Sequence, residues 1–143
     1  MRSLFLALHL IFAAIWLGCI LTEALFERVL LAGDRTAHLT LARLHVRVDN
    51  FVELPAILIV LGTGLAMLSQ SWPRTPSFFI MAFSGAAAIG LNFFCIWLVY
   101  KRRSAASAGS WSEFERLDHI QHKAGAGVLL FVLLALIAGV WSR

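Results

Sequence analysis

The chain has 143 residues, 60% of them hydrophobic and 14% charged, with a formal net charge of +4 and a mean hydropathy of +0.83. Soluble domains carry about 25% charged residues, so this composition excludes an ordinary soluble globule and points to one domain in a lipid bilayer. The basic residues flank apolar spans and form no separate basic domain, which excludes a nucleic-acid-binding module; two cysteines, Cys19 and Cys95, are too few for a disulfide scaffold.

Four apolar spans predict an all-α, four-transmembrane-helix, up-down-up-down bundle filling 1–143, with helices over about 3–31, 37–68, 77–102 and 111–141. The opening stretch MRSLFLALHLIFAAIWLGC has the cast of a signal peptide or a lipoprotein site at Gly18-Cys19. Trp16 stands where a small or aliphatic residue is wanted, so the stretch is expected to remain as the first helix. Gly33-Asp34-Arg35-Thr36 reads as a turn, with Asp34 or Thr36 capping the second helix, and Pro55 predicts a kink inside that helix. Ser71-Trp72-Pro73-Arg74-Thr75-Pro76 is a second turn, and the third span ends in Lys101-Arg102-Arg103. The small, polar run 104–110 links it to a fourth helix capped by Ser110 or Ser112.

Lys and Arg set the orientation. The face carrying the first and third connections holds Arg28, Arg35, Arg43, Arg47, Lys101, Arg102, Arg103, Arg116 and Lys123, against Arg2, Arg74 and Arg143 on the other. The expectation is a bacterial inner (cytoplasmic) membrane protein with both termini outside. Trp72, Trp111 and Trp141 fit interfacial anchors.

All eight carboxylates and four of the five histidines fall at the cytoplasmic end. Ionisable residues in hydrocarbon are costly and mark functional sites by default. Counting back from the turns at 1.5 Å per residue puts Glu23, Glu27, His45, Asp49, Asn92, Cys95, His119 and His122 in one slab, roughly 12–22 Å deep. Glu23 and Glu27 share a face at i,i+4, as do His45, Asp49 and Glu53; Glu115, Asp118, His119 and His122 cover about a third of their helix. Asp34, His38 and Glu113 read as surface residues.

Carboxylate and imidazole together suit Fe, Mn or Zn. The predicted centre is a dinuclear metal site with ligands Glu23, Glu27, His45, Asp49, His119 and His122, supported by Glu53, Glu115, Asp118, Asn92 and Cys95. Soluble dinuclear carboxylate bundles use Glu-x-x-His; this chain has Glu-x-x-x-Glu, His-x-x-x-Asp and His-x-x-His, an analogous chemistry on another pattern. Such a site would act as a metal-dependent oxidoreductase on oxygen, a quinone or a reactive oxygen species. The alternatives are haem b held by His45 with His119 or His122, with His9 available only to a second, external site; a metal sensor or carrier; and a purely structural bundle. The lipid bilayer is the expected environment, and a homodimer is allowed.

Residues 7–18, Ala-Leu-His-Leu-Ile-Phe-Ala-Ala-Ile-Trp-Leu-Gly, resemble the first helix of CopD-like and HemJ-like bacterial membrane proteins, and Leu54-Pro55 to Gly62-Thr63-Gly64 look like their second. The resemblance implies a small multi-helix protein of copper handling or haem-pathway redox chemistry, with His9 the haem-linked residue in the HemJ-like group. That group has a lysine early in the third helix, where this chain has Phe79, Ile80 and Met81.

Overall fold

A computed structural model describes residues 2–70 and 75–141. Four helices account for almost all of them: α1 (Arg2–Leu30), α2 (Arg35–Gln70), α3 (Pro76–Ser107) and α4 (Trp111–Trp141). Each is long and apolar enough to cross a membrane. The chain is therefore an all-α four-helix bundle with the marks of a multi-pass membrane protein. Trp72, Arg74 and Arg143, used above for anchoring and orientation, lie outside the described residues.

The helix ends follow from local chemistry. Asp34 caps α2 by accepting the Ala37 amide at 3.0 Å, and Gly33 is needed beside it because a Cβ there would stand 2.8 Å from the Ala37 Cβ. Thr75 caps α3 in the same way, with Pro76 at the first helical position, where its missing N–H costs nothing. α3 does not stop at its basic triplet. It continues to Ser107 and turns through Gly109, whose φ of +71° is the left-handed conformation that suits glycine.

Within α2, Asp49–Glu53 forms a π-helical turn in place of a simple proline kink. Pro55 has no N–H to give the preceding turn, and its ring crowds that turn's carbonyl. The wider turn re-pairs the backbone, with the Leu54 amide bonded to the Asp49 carbonyl.

Side-chain contacts fix how neighbours run. His9 Nδ1 meets the Val60 carbonyl at 2.9 Å while Glu27 meets His45, so α1 and α2 are antiparallel. Asp118 meets Arg102 and Gly127 lies against Leu91, so α3 and α4 are too. Two apolar layers bracket the polar residues. Ala42, Phe114 and Leu117 lie toward the α1–α2 and α3–α4 turns. Trp16, Ala56, Ile57, Ala88, Val128 and Val132 close the interior below.

Candidate metal centre

Between those layers lie two groups of side chains able to hold a cation, one above the other. The outer group is Glu27, Asp118 and His122; the inner is Glu23, Asp49 and Glu53. In each, one ligand atom per residue lies within 4.8 Å of the others.

The outer group already contains a cation. Arg102 is fully buried, at 0% exposure. Its Nη1 donates to Glu27 Oε1 at 3.0 Å and to Asp118 Oδ1, and its Nη2 reaches His45 Nδ1 at 2.6 Å. The guanidinium also packs 5.5 Å from the Phe114 ring centre. Phe114 in turn stacks on His38, so His38 belongs to the wall of this layer as well as to the surface. His122, 45% exposed, closes the mouth: Nε2 is 3.0 Å from Glu27 Oε2, and Nδ1 is 3.0 Å from the Asp118 carbonyl.

The inner group has no such partner. Asp49 and Glu53 are buried and Glu23 is half-buried, and among the described residues none of the three forms a salt bridge with Lys or Arg. Glu53 stands beside Asn92 and Trp16, and Asn92 Oδ1 accepts the Trp16 indole N–H at 3.3 Å. Asp49 stands within hydrogen-bonding reach of both Glu23 and Glu53, while Glu23 Oε1 and Asp49 Oδ2 are buried with no other side chain or backbone group donating to them. Three carboxylates this close in an apolar interior require shared protons or a cation, because uncompensated buried charge is costly. They line a cavity of about 240 Å³ that also touches His45, Asn92, Cys95 and Gln121.

Three expectations change. His119 and Glu115 are exposed and belong to neither group. The buried stripe of α4 runs Phe114, Leu117, Gln121, Val128, which turns 115 and 119 outward and leaves Asp118 and His122 on its edge. Asp118, expected as a supporting residue, is a direct member of the outer group.

His45 is inside but is not a free ligand. An arginine only donates, so His45 Nδ1 must accept, and Gln121 Nε2 approaches the same atom at 3.4 Å. A neutral imidazole accepting at Nδ1 carries its proton on Nε2 and has no lone pair left there. The third helix is also no bystander, since it supplies Arg102, Asn92 and Cys95.

The haem alternative needs two facing imidazoles. His45 is engaged with Arg102, His119 points outward, His122 is held between Glu27 and the Asp118 carbonyl, and His9 sits in the far half of the bundle against Val60 and Thr63. No protein-family model, curated protein or solved structure matches this chain.

Proposed function

We propose that the protein is an integral membrane metal-binding protein whose centre is the carboxylate triad Glu23, Asp49 and Glu53. The observation that carries this reading is the pair of buried, unpartnered oxygens, Glu23 Oε1 and Asp49 Oδ2, with Glu53 alongside and an adjoining cavity of about 240 Å³. A single cation satisfies both oxygens and offsets the charge. The reading is mononuclear because Arg102 already serves the outer carboxylates. An all-oxygen set suits hard cations, and Mn or Fe are the members able to support redox chemistry on a small or lipophilic molecule beside them.

On the same reading the chain lies in a bacterial inner membrane with both termini outside, the orientation that the Lys and Arg asymmetry favours. The kinship with CopD-like and HemJ-like proteins is part of the proposal. Its support is that the two stretches carrying the resemblance pack together, His9 on Val60 and Thr63, with Gly64 leaving the imidazole room.

The test is metal quantification per chain together with an absorption spectrum. One Mn or Fe per chain is expected, falling by more than half in Glu23→Gln and in Asp49→Asn. A Soret band, or unchanged metal in both variants, would reject the proposal.

A further inference from the structure

A site built only to hold a cation presents lone pairs. This cavity is lined by an N–H donor as well. His45, 1% exposed, lines the cavity, and its Nε2–H has no partner. Asn92, 2% exposed, accepts the Trp16 indole N–H at Oδ1 and has its Nδ2–H₂ against Glu53. Glu23 and Asp49, whose Oε1 and Oδ2 lack donors, line the same cavity. Buried donors are almost always paired, so an unpaired one on a residue lining a cavity points to an oxygen-bearing ligand.

The cavity also has a direction. Its lining from α2 and α3 is largely buried, whereas Leu21 and Ala24 on α1 and Ala126 on α4 are exposed. Between them Gly125 has open space where a side chain would go, with no atom within 4 Å of a Cβ. The opening is therefore lateral, between α1 and α4. It runs from Glu27 and His122 down to Leu21 and Leu129, about 10 Å along the helices. Centring about 20 hydrocarbon-spanning residues on the middle of α1, near Trp16, places Leu21 and Ala24 among acyl chains. Below, the Trp16–Ile57–Val128 layer shuts the cavity.

We propose that this cavity binds a membrane-dissolved quinone-type carbonyl compound. Its carbonyl oxygen accepts from His45 Nε2–H, and its apolar tail leaves between α1 and α4 past Gly125. Arg102 acts as a positioning residue by holding the His45 tautomer. This deepens the reading of the cavity as the place where the metal meets its substrate, and it rests on that reading for its role though not for binding.

The probe is a decyl-substituted benzoquinone titrated into purified protein in lipid nanodiscs, with metal content measured on the same samples. Saturable one-to-one binding is expected, with a bound carbonyl stretch at lower frequency than in lipid alone. His45→Phe should lower affinity about fivefold or more and abolish the infrared shift. His45→Gln, which restores an N–H, should recover part of both. Gly125→Leu should lower affinity about tenfold or more, with Gly125→Ala close to wild type and metal content unchanged in each. Unsaturable partitioning that is equal in all variants, or a bound quinone with an unshifted carbonyl, overturns the proposal. Quinone binding without metal would reject the metal centre alone; metal without quinone binding would reject this inference alone.

Discussion

Replacing Arg102 by methionine tests the electrostatic organisation of the interior. The side chain is fully buried and serves two carboxylates, Glu27 and Asp118, whose own side chains are 10% and 16% exposed, as well as His45. Removing one partner of a buried ion pair costs about 3–5 kcal/mol, because the remaining charge stays buried and uncompensated. Two carboxylates lose the same partner here, but such contributions are not additive, so about 4 kcal/mol is the expected loss. That is a large share of the 5–15 kcal/mol typical of a folded domain. Reversible unfolding in mixed micelles, monitored by far-UV circular dichroism, measures it.

Two further results separate this account from a generic packing defect. Neutralising the stranded acids in the triple variant Glu27→Gln/Arg102→Met/Asp118→Asn should recover most of the loss, since a shape-matched neutral replacement of a buried ion network is close to energetically neutral. Arg102→Met alone should also let Mn²⁺ enter the outer group of Glu27, Asp118 and His122. On the proposed one-metal reading, metal content would rise to two per chain, and saturating metal would stabilise the variant more than the wild type. If Arg102→Met unfolds at the wild-type midpoint and binds no additional metal, the guanidinium is not the internal cation described here.

His119→Ala should change neither metal content nor stability by more than about 0.5 kcal/mol, because the side chain is exposed and belongs to neither group; loss of metal would restore it as a ligand. Trp16→Phe should destabilise by about 1 kcal/mol through the lost indole bond to Asn92, and an unchanged unfolding midpoint would refute that contact. Gly64→Leu should cost about 1–3 kcal/mol by displacing His9, whose Cε1 stands 3.4 Å from the site of a Cβ; wild-type stability would mean the α1–α2 contact there is loose.

The bundle was legible because apolar runs of this length admit few alternatives in a bilayer, and counting residues from the turns brought Glu23 and Asp49 to one depth, where they meet. Arg102 was not legible for a physical reason. A basic triplet at the end of an apolar span reads as a headgroup contact, and only continuation of the helix to Ser107 reveals the stripe Leu98, Val99, Arg102, Ala105, Ala106, with arginine in a core position. The signal available was the pair Ala105-Ala106, small apolar residues in register with Leu98 and Val99. His119 went astray for the converse reason. Its spacing from His122 suits a ligand pair, but the rotation of α4 is set by Phe114 and Leu117, and nothing in the polar residues alone shows where the apolar stripe is centred. The hydrogen-bond roles of His45 depend wholly on what touches Nδ1, a fact with no one-dimensional trace.

The apolar floor separates the candidate centre from the far half of the bundle. Polar residues also occur in the far half of the bundle, where His9 meets Thr63 and Ser84 is buried, so a polar path through the membrane is conceivable from composition alone. Trp16, Ala56, Ile57, Ala88, Val128 and Val132 interrupt it with a close-packed layer, and Ala88 and Ile57 have no exposure at all. Small-molecule access should therefore end at this layer. In a background with Cys19 and Cys95 replaced by alanine, Ala24→Cys and Ala126→Cys should react with a membrane-permeant maleimide at the slow rate of a lipid-facing thiol, because both positions are exposed beside the cavity. Ala56→Cys and Ala88→Cys should be protected by at least about a hundredfold, the ratio set by about 3 kcal/mol of local opening. Comparable reactivity at Ala88→Cys and Ala126→Cys would mean that the floor is permeable and that the polar residues form a continuous path.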